Sequence, residues 1–427
     1  MTRCLIIGGG LAGLSAAVHL SQKNISIELL ESSPKLGGRA YSFIDSRTGI
    51  ELDNGQHLLM GCYSYTLEYL NIINSLHLLQ FPESLSALFQ DGQQKYHLKV
   101  PGKIPFPLNL ILGLLGFNYF SLSEKISLMK FITGLRIFSD SPYALNAEEW
   151  LKSMGQDAPR LREFWRLMIV SALNCKPEEA SASVLRLVIT EMFMRGTRES
   201  SLLVPKTGLS RLLIVPAVEL IKRSEGVITL SERVKKVITS DRKVLAVITE
   251  QREIRNFDFV IIAAPVHSDI VKNIISYPDL LDKYSHSLIV SVHVLRKTEY
   301  PPNSFTGFFN SVIHWIFFHE NHFSLVISSA KELYEKGKDN FLNLIKTELS
   351  EKLGITDLPD EEIRILTEKR ATFIPSVNLQ KSRISAITNY SNLFLAGDYT
   401  DTGLPSTIEG AIKSGKKASE LVIKSMS

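Results

Sequence analysis

Three closely spaced glycines and one acid mark the part of this 427-residue chain best suited to bind a charged ligand. Gly8, Gly10 and Gly13 form the pattern G-x-G-x-x-G. Gly8 permits a tight turn, Gly10 lets the backbone approach a pyrophosphate, and Gly13 lets a helix pack closely on a strand. Glu31 stands 18 residues after Gly13, where a carboxylate accepts hydrogen bonds from an adenosine ribose. The spacing therefore predicts a dinucleotide-binding turn.

A second glycine pair, Gly37 and Gly38, is followed by Arg39. This run resembles the second glycine pair of the two-dinucleotide-binding-domain flavoproteins, the superfamily of amine oxidases, protoporphyrinogen oxidases and carotenoid desaturases. In that superfamily the pair abuts the FAD pyrophosphate and the arginine lies close by. The resemblance implies that the cofactor is FAD rather than a diffusible nicotinamide.

The segment 53–63, DNGQHLLMGCY, is similar to the squalene-associated branch of this superfamily, the hydroxysqualene dehydroxylases. In the superfamily this segment passes beside the isoalloxazine ring, which implies that Gly55 lies at the flavin. His57 is a candidate proton donor, with Gln56 beside it, because the pKa of imidazole lies near the working pH. The alternative is that Gln56 and His57 only hydrogen-bond backbone or flavin carbonyl groups.

The C-terminal region carries a third motif. Gly397 and Asp398 end an apolar run, and Ser406, Thr407 and Ile408 open a helical segment. In the flavoprotein superfamily the aspartate binds the ribityl or pyrophosphate part of FAD. The resemblance further implies that the helix points its positive end at the N1–C2=O edge of the flavin, where charge builds on reduction.

Local patterns also predict the elements that position these residues. An apolar strand at 3–7 precedes the first glycine turn, an Ala-rich helix follows at 14–23, and a second strand spans 25–30. The free N–H groups at the start of the helix, where Leu11 and Ala12 lie, are expected to hold the phosphates.

Three further segments resemble the same flavoproteins. Residues 171–181 and 202–212 are similar to the squalene-associated family. The β-rich region 227–265 resembles the meander that returns to the FAD domain. In the superfamily the backbone at the position of Val234 contacts adenine.

The expected fold class is α/β, a Rossmann-like FAD-binding domain of the two-dinucleotide-binding-domain type with an inserted α+β substrate domain. The FAD-binding domain is predicted to be assembled from residues 1–95, 200–266 and 368–427. The substrate domain is predicted to comprise residues 96–199 and 267–367.

Residues 104–120 form the most apolar window, interrupted by Pro105 and Pro107. The window is marginal for a transmembrane helix. It is expected to be a buried cavity wall, a plain core helix, or an amphipathic lip that dips into one leaflet. In the last case Lys125, Lys130 and Arg136 would face the lipid headgroups.

Composition narrows the function classes. A net charge of +4 with 22% charged residues gives no case for nucleic acid. Cys4, Cys62 and Cys175 have no metal-ligand spacing, so we predict no metal site and reduced thiols in a cytoplasmic protein. A peripheral position on the inner face of the membrane is the alternative. The first strand begins almost at Met1, so we expect no signal peptide.

The resemblance implies an FAD-dependent oxidoreductase of hopanoid biosynthesis that reductively removes the hydroxyl group of hydroxysqualene, a long-chain isoprenoid. The electron donor is not identified by the sequence. An oxidative polyene desaturase of the carotenoid type is the alternative enzyme, and a non-catalytic FAD-containing isoprenoid-binding subunit is the alternative of another class. The aromatic residues between 305 and 318 are expected to pack in the core or to line a π-rich cavity.

Overall fold

The computed structural model describes residues 1–137, 142–275 and 278–426, without the side chains of residues 136, 137 and 278. The strands in these ranges are β1 (Arg3–Ile7), β2 (Ser26–Leu30), β3 (Ser42–Ile44), β4 (Glu51–Asp53), β5 (Leu59–Met60), β6 (Leu79–Gln80), β7 (Ser86–Asp91), β8 (Gln94–Lys99), β9 (Leu202–Pro205), β10 (Val227–Thr229), β11 (Val234–Ser240), β12 (Lys243–Thr249), β13 (Glu253–Ile254), β14 (Phe259–Ile262), β15 (His286–Val294), β16 (Ser304–Phe309), β17 (Trp315–Phe318), β18 (Phe323–Ile327), β19 (Ile363–Phe373) and β20 (Leu393–Leu395).

The helices are α1 (Leu11–Ser21), α2 (Ser64–Ile72), α3 (Leu108–Gly116), α4 (Leu122–Ile137), α5 (Ala147–Ser153), α6 (Pro159–Leu173), α7 (Ala182–Phe193), α8 (Val215–Arg223), α9 (Asp269–Ile274), α10 (Pro278–Leu281), α11 (Lys331–Tyr334), α12 (Lys338–Leu353), α13 (Val377–Gln380) and α14 (Ile408–Ser425).

A five-stranded parallel sheet forms the first half of the molecule, in the order β10-β2-β1-β14-β20. Its central strands are almost wholly buried, as expected for a parallel sheet covered on both faces. Helices α1 and α14 pack closely together beside it, because Gly415 of α14 allows α1 to approach. The carboxyl ends of β1, β2 and β14 therefore open toward one edge.

The first glycine turn has the backbone that its sequence predicts. Gly8 has φ +112°, and a Cβ atom there would lie 2.6 Å from the carbonyl oxygen of Ala263. A Cβ atom on Gly13 would lie 1.9 Å from the carbonyl oxygen of Gly8. Only glycine fits at either position, so the start of α1 sits directly against the ends of β1 and β14.

A seven-stranded mixed sheet forms the second half, in the order β19-β15-β18-β17-β16-β7-β8. Its pairs are antiparallel except for β16 with β7. One face packs against helices from the region 108–193, and the other packs against α12. The strands β7 and β8, at 86–99, belong to this sheet although the substrate segment was predicted to begin only at residue 96.

Candidate active site

One continuous cavity of about 1580 Å³ runs from the parallel sheet to the mixed sheet. Backbone of Gly8, Gly10, Gly37 and Gly38 lines one part, which we call the glycine trench. The other part, which we call the apolar chamber, is lined by large hydrophobic side chains, among them Leu85, Phe89, Phe164, Met168, Trp315 and Phe317. Of the residues predicted to form the site, Gly13 alone does not line this cavity.

The glycine trench consists of two backbone segments that lie side by side without side chains between them. The Gly37 amide donates to the Gly9 carbonyl oxygen over 2.8 Å. Gly37 has φ +100° and Gly38 has φ +61°, and a Cβ atom on Gly38 would lie 3.2 Å from the Cα atom of Gly10. Side chains at these positions would fill the trench.

Glu31 is held at one end of the trench by backbone donors. Its Oε2 atom accepts from the Gly9 amide over 2.6 Å, and its Oε1 atom accepts from the Ser33 amide over 2.7 Å. The first hydrogen bond of α1 joins the Leu14 amide to the Gly10 carbonyl oxygen, so the amides of Leu11 and Ala12 precede it and are available to an anion. Val234 lines the same end of the cavity.

Arg39 and Asp398 form an ion pair that joins the N-terminal and C-terminal motifs. The Arg39 Nη2 atom lies 2.8 Å from the Asp398 Oδ1 atom, and the Ser406 hydroxyl donates to the same carboxylate. Burial opposes ionisation of Asp398, but the Arg39 charge and the Ser406 hydroxyl outweigh it and lower the pKa of Asp398. Asp398 is therefore a carboxylate at neutral pH.

The amino-terminal end of α14 faces the cavity, where Thr407 and Ile408 line the wall. The Thr407 side chain caps the helix by accepting from the Gly410 amide over 3.1 Å. Glu409, on the first turn, accepts from the amides of Tyr65 and Thr66 at the start of α2. Two helix amino termini are thus held together beside the cavity.

Gly55, Gln56 and His57 lie on the cavity wall. The His57 Nδ1 atom lies 2.6 Å from the Gly55 carbonyl oxygen and donates to it. The other ring nitrogen, Nε2, is therefore the one left for a contact with a ligand. Burial lowers the pKa of His57, although the bond to Gly55 favours the protonated ring. The imidazole is therefore neutral at pH 7.

Aromatic rings separate into core and cavity positions in the mixed sheet. Phe308 and Phe309 are fully buried core residues, whereas Trp315 and Phe317 line the apolar chamber. The Trp315 Nε1–H group donates to the Ser171 hydroxyl over 2.6 Å, which fixes the indole plane.

Other contacts at the site join residues that sequence inspection did not associate. The half-buried Arg383 side chain donates to the carbonyl oxygens of Asp398, Thr400 and Leu404, and so shapes the turn before α14. Gln56 contacts His319, which lies 263 positions further along the chain. No local spacing signals these pairs, because their members belong to separate elements.

A family model described as flavin containing amine oxidoreductase matches residues 11–281 and 331–423. The chain therefore belongs to the flavin-containing amine oxidoreductases. It is 31% identical to the hydroxysqualene dehydroxylase of Zymomonas mobilis over 98% of each chain. It is 29% identical to that of Sinorhizobium fredii over 98% of this chain and 97% of the relative. Within the class, the chain belongs to the hydroxysqualene dehydroxylase family.

More distant matches agree with this placement. The 15-cis-phytoene desaturase of Glycine max is 24% identical over 98% of this chain and 79% of that protein. Among solved structures, an oxidoreductase from Methanosarcina mazei has a TM-score of 0.73 at 17% identity and covers 98% of this chain and all of that one. Putrescine oxidase has a TM-score of 0.72 at 15% identity, with 99% of each chain covered.

These comparisons confirm the predicted α/β fold class, the FAD cofactor and the assignment to an enzyme family. The geometry of the cavity fits that cofactor. The glycine trench leaves backbone open to a pyrophosphate, the Glu31 carboxylate lines the same cavity and could accept hydrogen bonds from a ribose, and the amino terminus of α14 faces that cavity.

Proposed function

We propose that this chain is a hydroxysqualene dehydroxylase of hopanoid biosynthesis, which converts hydroxysqualene to squalene and water. The observation that carries the proposal is the single cavity that joins the glycine trench to the apolar chamber. Its volume of about 1580 Å³ exceeds the range of about 300–1000 Å³ typical of a site for one ligand. It therefore has room for a dinucleotide and a long hydrocarbon together.

When bound and reduced by an electron donor outside the chain, FAD would supply the hydride that replaces the hydroxyl group. The C–O bond breaks, the oxygen leaves with a proton as water, and a C–H bond forms. Around the reacting carbon the chain contributes an apolar wall that excludes water. The ring faces of Trp315 and Phe317 stabilise the positive charge that develops on the allylic carbon.

His57 is the proposed carrier of the proton, at its Nε2 atom, because Nδ1 is engaged by the Gly55 carbonyl oxygen. Because the resting ring is neutral, Nε2 must first take up a proton from solvent, and the lowered pKa makes the resulting imidazolium a stronger acid toward the hydroxyl oxygen. We expect His57→Ala to reduce kcat about 100-fold while FAD stays bound. If His57→Ala with its full content of bound FAD turned over substrate as fast as the wild type, His57 would not be the proton donor.

The experiment that tests the activity is anaerobic. The purified protein is reduced, hydroxysqualene is added, and the flavin spectrum and the lipid product are followed together. We expect flavin oxidation with stoichiometric squalene. No reaction with hydroxysqualene, but flavin reduction when the oxidised protein meets phytoene, would instead identify a polyene desaturase.

We also propose the division into two domains, each assembled from separated segments. Because β7 and β8 pair with β16 in the mixed sheet, the first boundary is placed near residue 85 rather than 95. Because β19 continues to Phe373, the last boundary is placed near residue 374 rather than 367. The boundaries near 200 and 267 stay as predicted.

A membrane contact is proposed for the segment 104–120. None of the helices in the described ranges is long and apolar enough to cross a membrane. Instead α3, nine residues long, buries one apolar face and exposes another. The exposed apolar face comprises neighbouring residues of α3 and α4, which are Leu108, Ile111, Leu112, Leu115, Leu122 and Ile126. Such a face dips into one leaflet without spanning it.

Charge around the exposed apolar face favours an anionic bilayer. Lys99, Lys103 and Lys130 are exposed, whereas the nearby Glu124 is buried. Lys125 was expected to face the headgroups, but it is buried and its Nζ atom donates to the Leu115 carbonyl oxygen over 2.6 Å. The side chain of Arg136 lies outside the described residues.

Vesicle flotation tests this surface. We expect the protein to float with vesicles containing phosphatidylglycerol and much less with pure phosphatidylcholine, and the pair Leu112→Ser and Leu115→Ser to abolish flotation. The matched control is Leu245→Ser, because Leu245 is equally exposed on β12. If all variants floated equally well, the exposed apolar face would not be the membrane-binding surface. We place the contact on the cytoplasmic face, because the three cysteines are free thiols.

A further inference from the structure

Gln56 lines the cavity, and its side chain hydrogen-bonds to a histidine that does not line the cavity. The His319 Nε2 atom lies 3.2 Å from the Gln56 Oε1 atom. Burial lowers the pKa of His319 to about 4, so the ring is neutral and carries one hydrogen. Because the amide oxygen can only accept, that hydrogen must be on Nε2. The contact therefore fixes which end of the Gln56 amide faces His319.

The backbone of His319 is fixed by the turn between β17 and β18, and its ring packs against a neighbour there. It stacks on His322 with a centroid distance of 4.3 Å, and the His319 amide donates to the His322 carbonyl oxygen over 2.9 Å. His293 ties this region to β4, because its Nε2 atom lies 3.0 Å from the Asp53 carbonyl oxygen. The segment that carries Gln56 is thus clamped to the mixed sheet.

Two polar groups on the cavity wall are left without a protein partner. With its oxygen engaged, Gln56 can present its NH₂ group to the cavity, and no acceptor for that group is found among the described residues. Ser291 is 2% exposed and also lines the cavity, and its hydroxyl has no hydrogen-bond partner in the same part of the chain. A Cβ atom on Gly55, the neighbour of Gln56, would lie 3.7 Å from the Ser291 Oγ atom.

We propose that the Gln56 amide, oriented by His319, and the Ser291 hydroxyl form a binding site for the uncharged hydroxyl oxygen of a lipid alcohol. His319 is then a positioning residue, and Ser291 contacts the substrate. This inference rests on the proposed function, because it assigns the oxygen end of that substrate. A site built to hydrogen-bond a hydroxyl discriminates against the analogue that lacks one, since the polar groups would otherwise remain unpaired.

The test measures binding to the oxidised holoenzyme, without turnover. Hydroxysqualene and squalene are titrated, and the flavin spectrum and tryptophan fluorescence report binding. For the wild type we expect hydroxysqualene to bind about tenfold more tightly than squalene. We expect His319→Leu and Ser291→Ala each to reduce this ratio to about two, with the affinity for squalene unchanged.

Two further variants separate positioning from general stability. His319→Gln keeps an N–H donor and should restore most of the ratio. His322→Leu removes the stacked neighbour but not the bond to Gln56, so the ratio should persist even if the protein is less stable. Equal loss of discrimination in His322→Leu would overturn the role of the His319 N–H group. If His319→Leu does not fold, the binding ratio measured for Ser291→Ala still tests the proposal.

The outcomes distinguish this inference from the proposed function. If the protein bound hydroxysqualene more tightly than squalene but did not turn it over, the proposed hydroxyl-binding site would stand and the proposed dehydroxylase activity would be wrong. Turnover with a ratio near one in the wild type, or with an unchanged ratio in His319→Leu and Ser291→Ala, would overturn the site. A shifted flavin spectrum with an unchanged ratio would assign the Gln56 amide to the cofactor instead.

Discussion

Arg39 and Asp398 illustrate how single residues join the two ends of the chain at the cofactor site. The two residues are 359 positions apart, yet their side chains form an ion pair of 2.8 Å beside the glycine trench. The Ser406 hydroxyl completes the environment of the carboxylate. The ion pair therefore fixes the turn before α14 against the second glycine pair.

Replacing Arg39 with alanine leaves the Asp398 carboxylate buried without its cationic partner. We expect a loss of about 2 kcal/mol in the free energy of unfolding, less than for a fully buried pair because the Arg39 side chain is 44% exposed. FAD affinity should fall as well. Urea unfolding and flavin titration measure both. The control, Arg211→Ala, removes a surface pair with Glu51 and should change stability by less than about 1 kcal/mol.

Asp53 carries a pH dependence that a single substitution can isolate. Burial raises the pKa of Asp53 to about 6, although its Oδ1 atom accepts from the Ser42 hydroxyl and the Leu209 amide. The folded protein therefore binds a proton more tightly than the unfolded chain, so this residue's contribution to stability is lost as pH rises from about 4 to 6.

We expect Asp53→Asn to be as stable as the wild type near pH 4 and more stable at pH 7, by up to about 3 kcal/mol. The asparagine oxygen can accept both existing hydrogen bonds, so the gain is electrostatic. Denaturant unfolding at pH 4, 5.5 and 7 checks this. Asp360→Asn, at an exposed carboxylate, serves as the control. A variant less stable than the wild type at pH 7 would contradict the prediction.

At the scale of elements, the contact between α1 and α14 positions two of the helices whose amino termini lie at the cavity. Gly415 makes this contact, and the Ser15 hydroxyl donates to the Ile412 carbonyl oxygen over 2.8 Å. A Cβ atom at position 415 would lie 2.1 Å from the Ala12 carbonyl oxygen. The close approach therefore depends on the absence of a side chain.

We expect Gly415→Ala to push the helices apart, lowering the free energy of unfolding by about 1–3 kcal/mol and weakening FAD binding. Calorimetry and flavin titration provide the measurements. Gly116→Ala is the matched control, because a Cβ atom at the end of α3 would meet nothing within 4 Å. If both substitutions had the same small effect, the close contact between α1 and α14 would not be needed for stability or for FAD binding.

At the scale of the whole molecule, buried histidines make the junction between the halves sensitive to acid. Burial lowers the pKa of His293 to about 4, of His319 to about 4 and of His322 to about 3. The unfolded chain binds protons at these residues from about pH 6.5 downward, so their stabilising contribution is lost as pH falls from 6.5 toward 4. The opposite slope of Asp53 offsets only part of this loss.

We expect His322→Leu to lose less stability than the wild type between pH 7 and pH 5, by about 2 kcal/mol. The free energy of unfolding at the two pH values gives the difference directly. The matched control is His97→Leu, which changes an exposed histidine on β8. If the free energy of unfolding of His322→Leu fell between pH 7 and pH 5 as much as that of the wild type, protonation of His322 would not destabilise the folded protein.

The glycine motifs and the family could be predicted from the sequence because their information is local. The turn around Gly8, Gly10 and Gly13 needs specific backbone geometry within one short segment, and glycine is the residue that allows it. The same holds for Gly37 and Gly38. The fold class and the FAD cofactor followed from such motifs, and both are confirmed.

Contacts between distant segments were decided only by the tertiary structure. The mixed sheet takes in β7 and β8 through pairing with β16, more than 200 residues away, so no local pattern could place the boundary near residue 85. Likewise, the Gln56–His319 contact and the burial of Lys125 depend on which elements pack together. A local motif specifies backbone geometry, whereas a side chain's partners are selected by the packing of the whole chain.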